Sequence, residues 1–168
     1  MLSNNLCDDV IEYYNIVESK IIYMSASPNF PPRKQLRNIP DDLTDKIITE
    51  IYKNLSDYYT KLSIKDNIRI YCSDYGTIKP HVDIPMCGDD THTCLIYLTD
   101  NFVGGNLTIE NKISDLKTEN ITIKPKKSFG IIFPKGYVHY TDELQSGKKL
   151  ILLIDLKILL WVIPTSMK

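Results

Sequence analysis

Residues 68–83 read IRIYCSDYGTIKPHVD: a β-rich run, a stretch punctuated by Gly76 and Pro80, and then His81-Val82-Asp83. The texture of the chain changes here. From Asn67 onward, short runs of β-branched and aromatic residues alternate with Gly, Pro, Asn and Asp, as strands joined by turns do. The spacing predicts strands near 68–72, 79–83, 93–98, 106–111, 120–124, 129–133, 137–140 and 149–155. Upstream, residues 6–17 predict a short helix. Leu43, Ile47, Ile48, Ile51, Tyr52, Leu55, Tyr58, Tyr59 and Leu62 recur at the i, i+3/i+4, i+7 spacing of an amphipathic helix. It starts at Asp41-Asp42, where negative charge suits the helix dipole, and such a helix packs beneath a sheet more often than it serves a partner. Between the two helices, PNFPPRKQLRNIP (28–40) is a proline-rich loop and, by composition alone, a candidate lid. Short strands following a helical start predict a mainly β jelly roll braced by N-terminal helices.

His81 and Asp83, two apart on an extended segment, project to the same face. His139, arriving from a neighbouring strand, would complete two imidazoles and one carboxylate on one side of a metal. That facial set leaves the opposite coordination positions open, the arrangement expected of a non-haem Fe(II) oxygenase. The bland alternative is an ordinary surface pair beside a Pro-bounded turn, and the H-x-D spacing alone does not exclude it. The chain has three histidines. The third, His92, lies in the polar lead-in to a strand with nothing acidic at a matching position, which makes it the weaker ligand candidate.

The flanks carry more information. IRIYCSDYGTIKPHVD, then HTCLIYLTDNFVGGNLTIE (92–110), then KPKKSFGIIFPKGYVHYTDELQSGKKLILL (124–153) together resemble the 2-oxoglutarate- and Fe(II)-dependent oxygenases, specifically the prolyl hydroxylase branch. The shared features are H-x-D, a YLTD strand ahead of Gly104-Gly105, Phe-Pro before His139, and Gly-x-basic after it. The resemblance implies a double-stranded β-helix, with Fe(II) held by His81, Asp83 and His139 in its mouth. It also implies 2-oxoglutarate as cosubstrate, O2 as oxidant and ascorbate as an auxiliary reductant. Lys149 matches the basic residue that neutralises the distal carboxylate of 2-oxoglutarate; Lys148 keeps a share of that role, because both faces of the LILLI run are apolar and strand parity does not separate the two. Tyr97 matches a tyrosine that supports the same carboxylate. Tyr71 matches one that contacts the iron-proximal part of the cosubstrate, with a core role as its rival. Thr108 and Ile109 resemble a cosubstrate-lining segment.

The resemblance further implies hydroxylation of a prolyl residue in a peptide or protein, with release of succinate and CO2. Rivals on the same fold act on lysyl, small-molecule or nucleobase substrates, and a non-catalytic binding domain is a rival from another class. A net charge of −1 gives no global electrostatic footprint for nucleic acid. At 168 residues, length predicts one domain, 1–168, with a helical support region (1–66), a catalytic core (67–156) and a C-terminal extension (157–168). Met1–Lys20 has no apolar signal region, and Asp155 and Lys157 interrupt the apolar tail, so neither export nor a membrane span is expected and the reading is cytoplasmic. Cys7, Cys72, Cys87 and Cys94 show no metal or dithiol spacing and fit a reducing compartment. Asn54-Leu-Ser56 and Asn120-Ile-Thr122 match glycosylation acceptors that have no use without export. Nothing in the sequence speaks to oligomeric state.

Overall fold

The computed structural model describes residues 1–17, 20–55, 62–63, 68–84, 92–114 and 117–158. Helix α1 (Asn4–Ile16) begins where Ser3 adopts an extended backbone and its hydroxyl accepts from the Leu6 N–H at 3.3 Å, a serine cap that satisfies one orphan donor of the first turn. Helix α2 (Asp41–Leu55) carries Asp41 and Asp42 in its first turn and Lys53 in its last, and it buries Leu43, Ile47, Ile51 and Leu55 as one stripe. Ser3 also joins the helices, because its N–H and hydroxyl both donate to the Glu50 carboxylate, at 2.6 and 2.8 Å. Leu62, expected on the second helix, instead starts the two-residue strand β3 (Leu62–Ser63); an apolar residue at a helical spacing fits a strand equally well once the chain has turned. Tyr58, Tyr59, Ser56 of the first glycosylation match, Cys87 and the tail beyond Ile158 lie outside the described residues.

The main sheet runs β1 (Ile22–Met24), β2 (Arg33–Leu36), β4 (Ile68–Ser73), β12 (Lys149–Ile158), β5 (His92–Tyr97), β9 (Gly130–Pro134), with β3 also on β12. A second sheet orders β10 (His139–Thr141), β7 (Leu107–Ser114), β8 (Lys117–Ile123), and β11 (Leu144–Ser146) pairs β6 (Val103–Gly104). Every pairing among the described strands is antiparallel. The parity of the central strands divides the protein into layers. Ile70, Cys72, Cys94, Ile96, Leu150, Leu152, Ile154 and Leu156 face the helices and pack with Leu6, Val10, Ile47 and Ile51. Leu95, Tyr97 and Ile151 face the other way, against Phe133 and against Leu107 and Ile109 of the second sheet. The result is the expected fold class: a mainly β double-stranded β-helix braced on one face by two helices.

Two expectations need correction. The strand near 79–83 reduces to a single bridge between His81 and His139, since Pro80 has no N–H to give a ladder. The proline-rich segment is not loop throughout: after Pro31-Pro32 holds the chain extended, Arg33–Leu36 forms β2 and pairs with β4. Strand β12 runs on through Lys157 and Ile158.

Candidate active site

The bridge that replaced a strand does the positioning. His81 and His139 stand opposite each other and exchange both backbone hydrogen bonds, at 3.1 and 2.9 Å, which brings their rings to 4.2 Å between centroids. The Asp83 N–H donates to the Lys135 carbonyl at 3.1 Å. This fixes the segment so that Asp83 Oδ1 lies 3.9 Å from His81 Nε2 and 3.7 Å from His139 Nε2. One ligand atom from each of the three falls within 4.8 Å of the others. Each imidazole donates its Nδ1–H to the carbonyl two residues upstream, His81 to Lys79 at 2.8 Å and His139 to Tyr137 at 3.0 Å. That assigns the tautomer with the Nε2 lone pair facing the cluster. The Thr93 hydroxyl donates to Asp83 Oδ2, leaving Oδ1 directed at the histidines. Phe30 and Phe133 set ring edges against His81 and His139 at 4.6 and 4.8 Å. Burial, and then the neighbouring imidazole, hold the His81 pKa below its ordinary value, so the ring is neutral and ready to ligate. Two oriented imidazoles and one oriented carboxylate on one side fit a single divalent metal of the facial type.

The cluster opens into a cavity of about 340 Å³ walled largely by apolar side chains. Lys149 borders it and is 6% exposed. Its amine donates to the Gly105 carbonyl at 2.7 Å and sits 5.7 Å from the Tyr97 ring centroid. Burial lowers the Lys149 pKa to about 8. Gly105 has φ +69°, and a Cβ there would lie 3.3 Å from the lysine amine, so a residue without a side chain keeps this corner open. Tyr97 is fully buried and its hydroxyl has no partner among the described residues; burial raises its pKa. Its ring packs beside the Lys149 amine and does not line the open cavity. A cation with donors to spare beside an unpartnered buried hydroxyl suits an anionic group such as a carboxylate. Tyr71 does border the cavity, and its hydroxyl accepts from the Gln35 side-chain amide.

The other candidates fall elsewhere. Lys148 is exposed, its neighbour buried, so the register of β12 distinguishes the two lysines. His92 opens β5 away from the histidine–aspartate cluster, and burial lowers its pKa. Thr108 contacts Thr122 at 3.2 Å and Ile109 packs in the interior core; neither borders the cavity. Sequence reasoning missed Thr93, Arg33, Arg69 and Asp155. Thr93 could have been suspected from its parity with Tyr97 on a strand facing inward. The charged residues had no such signal, because Arg69 and Asp155 interrupt runs that otherwise read as core.

Among the described residues no helix is long and apolar enough to cross a membrane. No family model matches the sequence, and no curated protein matches it. Solved structures do match in shape. The viral collagen prolyl hydroxylase of Paramecium Bursaria Chlorella virus-1, solved with 2OG, aligns at TM-score 0.65 and 22% identity over 94% of this chain and 92% of that one. A Trichoplax adhaerens prolyl hydroxylase, in complex with a hypoxia inducible factor peptide fragment, aligns at 0.64 and 16% over 93% and 80%. The non-heme alpha ketoglutarate dependent epimerase SnoN from nogalamycin biosynthesis aligns at 0.67 and 11% over 94% and 75%. At these identities the likeness establishes the fold alone: this chain has the architecture that these three proteins share.

Proposed function

We propose that the chain is a 2-oxoglutarate- and Fe(II)-dependent dioxygenase that hydroxylates a prolyl residue of a peptide or protein, converting 2-oxoglutarate and O2 to succinate and CO2. The observation that carries this reading is the joint geometry of one cavity: His81, Asp83 and His139 converge on one side while the buried Lys149 amine borders the same space. Fe(II) bound at the three ligands would supply the activation of O2, with 2-oxoglutarate as the electron source. The chain supplies the rest. Carbonyls at Lys79 and Tyr137 hold the imidazoles, and Thr93 holds the carboxylate, so ligand geometry is set before metal arrives. Lys149 neutralises the distal carboxylate of 2-oxoglutarate, with the Tyr97 hydroxyl as its second donor and Tyr71 on the neighbouring wall. The apolar lining excludes water, which strengthens these charge contacts.

The prolyl specificity is supported by two of the similar structures, both prolyl hydroxylases, one of them bound to a peptide. No feature of the cavity speaks for ascorbate, and it is left out of the mechanism. The test is Fe(II)-dependent succinate formation together with a peptide-library screen read by the mass gain of one oxygen atom. Succinate production without iron, or peptides oxidised only at residues other than proline, would overturn the corresponding half of the reading.

A further inference from the structure

The inner face of β12 carries a charge at each end. Lys149 stands at one, and Asp155 at the other is 2% exposed and takes Arg69 at 2.5 Å on Oδ2 and Lys135 on Oδ1. Strand rise is roughly 3.3 Å per residue, so the two positions are on the order of 20 Å apart, beyond the reach of a short diacid anchored at Lys149. Asp155 is the register partner of Thr93, whose hydroxyl holds Asp83; this second charged cluster is thus next to the candidate metal ligands. Arg69 is 7% exposed, borders the cavity, and its Nε has no partner among the described residues. Arg33 borders it too. Its guanidinium lies 4.0 Å from the Phe30 ring centroid and 4.8 Å from that of Tyr71, its buried Nε is also unpartnered, and no carboxylate pairs with it among the described residues. Phe30 in turn contacts His81. Two guanidinium groups therefore border the cavity beside the candidate metal ligands; Asp155 pairs with Arg69 but is shared with Lys135, and the carboxylate that Arg33 feels, Asp83, belongs to the ligand cluster. Planar, permanently charged forks with unused donors are suited to bind a carboxylate.

We infer that Arg33 and Arg69 form a recognition site for a carboxylate carried by the substrate next to the carbon that is oxidised. The inference rests on the oxygenase reading above and adds to it an acidic group as a specificity element. Such a carboxylate has two sources in a peptide: a glutamate beside the target proline, or the terminus of a peptide that ends on it. Binding of labelled peptides by fluorescence anisotropy tests this without turnover. A proline peptide with a flanking Glu is compared with its Gln twin, and a peptide ending in a free proline carboxylate with its amide. The carboxylate member of one pair should bind at least tenfold tighter, which also identifies the source. Arg69→Met should abolish that preference and Arg33→Met, which breaks no ion pair, should reduce it several-fold while the folded protein retains its 2-oxoglutarate affinity. Absence of any carboxylate preference in the wild type, or a preference that survives both substitutions, overturns the inference. Succinate formation and mass gain are scored separately, so a failed oxygenase reading stays distinguishable from a failed carboxylate site.

Discussion

The two faces of β12 differ by one residue in phase and by everything else in chemistry. Leu150, Leu152, Ile154 and Leu156 are each under 5% exposed and are sealed beneath the helices. Lys149, Ile151, Leu153 and Asp155 look into the cavity, and half of them are charged. The helix-side face buries apolar area, which is where cooperative stability comes from. The cavity-side face holds buried charges, which are weak evidence for stability and costly unless paired. One strand thus separates a core face from a cavity face by pleat alone.

The most severe way to test the division is at the candidate metal ligands. Asp83→Ala removes the only carboxylate of the cluster, so Fe(II) binding and succinate formation should both be lost while the thermal transition changes little; a variant that retains most of its iron-dependent turnover would break the assignment. His92→Ala, the control, should keep full activity. Next comes the contrast along β12. Lys149→Ala should raise the 2-oxoglutarate Michaelis constant at least a hundredfold, since breaking a buried charge pair costs on the order of 3–5 kcal/mol, yet leave the urea midpoint unchanged or higher. Leu152→Ala should do the reverse, losing about 2–5 kcal/mol of stability with the cosubstrate requirement intact. If both variants lose both properties, the faces are not functionally separate.

A pH series sharpens the same comparison. Burial lowers the Lys149 pKa from its ordinary 10.5 to about 8, so the folded protein gives up this cation as pH rises through that value. Affinity for 2-oxoglutarate should therefore be full well below pH 8 and fall as pH rises through it, read from the Michaelis constant between about pH 6.5 and 9.5; a flat profile would show that the amine is not the anchor. Tyr97→Phe has a smaller effect of two signs. Removing a buried hydroxyl that has no partner should stabilise the ligand-free protein by about 1–3 kcal/mol, and should weaken 2-oxoglutarate binding by about 1.5–3 kcal/mol, the worth of a hydrogen bond to a charged group. Lys148→Ala, on the solvent side, should change either property by less than about 0.5 kcal/mol.

The sequence by itself determined the layered plan and the members of the candidate ligand cluster. Periodicity carried the first, since the 3.6-residue stripe of Leu43, Ile47, Ile51 and Leu55 marks a helix that must bury one face; the second needed the flanking motifs as well, because His81 and Asp83 share a side whenever their segment is extended but spacing alone does not add His139. Only the tertiary structure decided that Lys149, and not Lys148, is the buried lysine bordering the cavity, because a run apolar on both faces has no internal phase and the register with β4 and β5 supplies it. It also decided that Arg33 and Phe30, in a segment whose composition read as loop, reach the cavity beside His81. Arg69 and Asp155, 86 residues apart in sequence, meet on neighbouring strands. Long-range pairing of this kind leaves no local trace in composition or spacing, since the free energy that selects it comes from contacts between residues far apart along the chain.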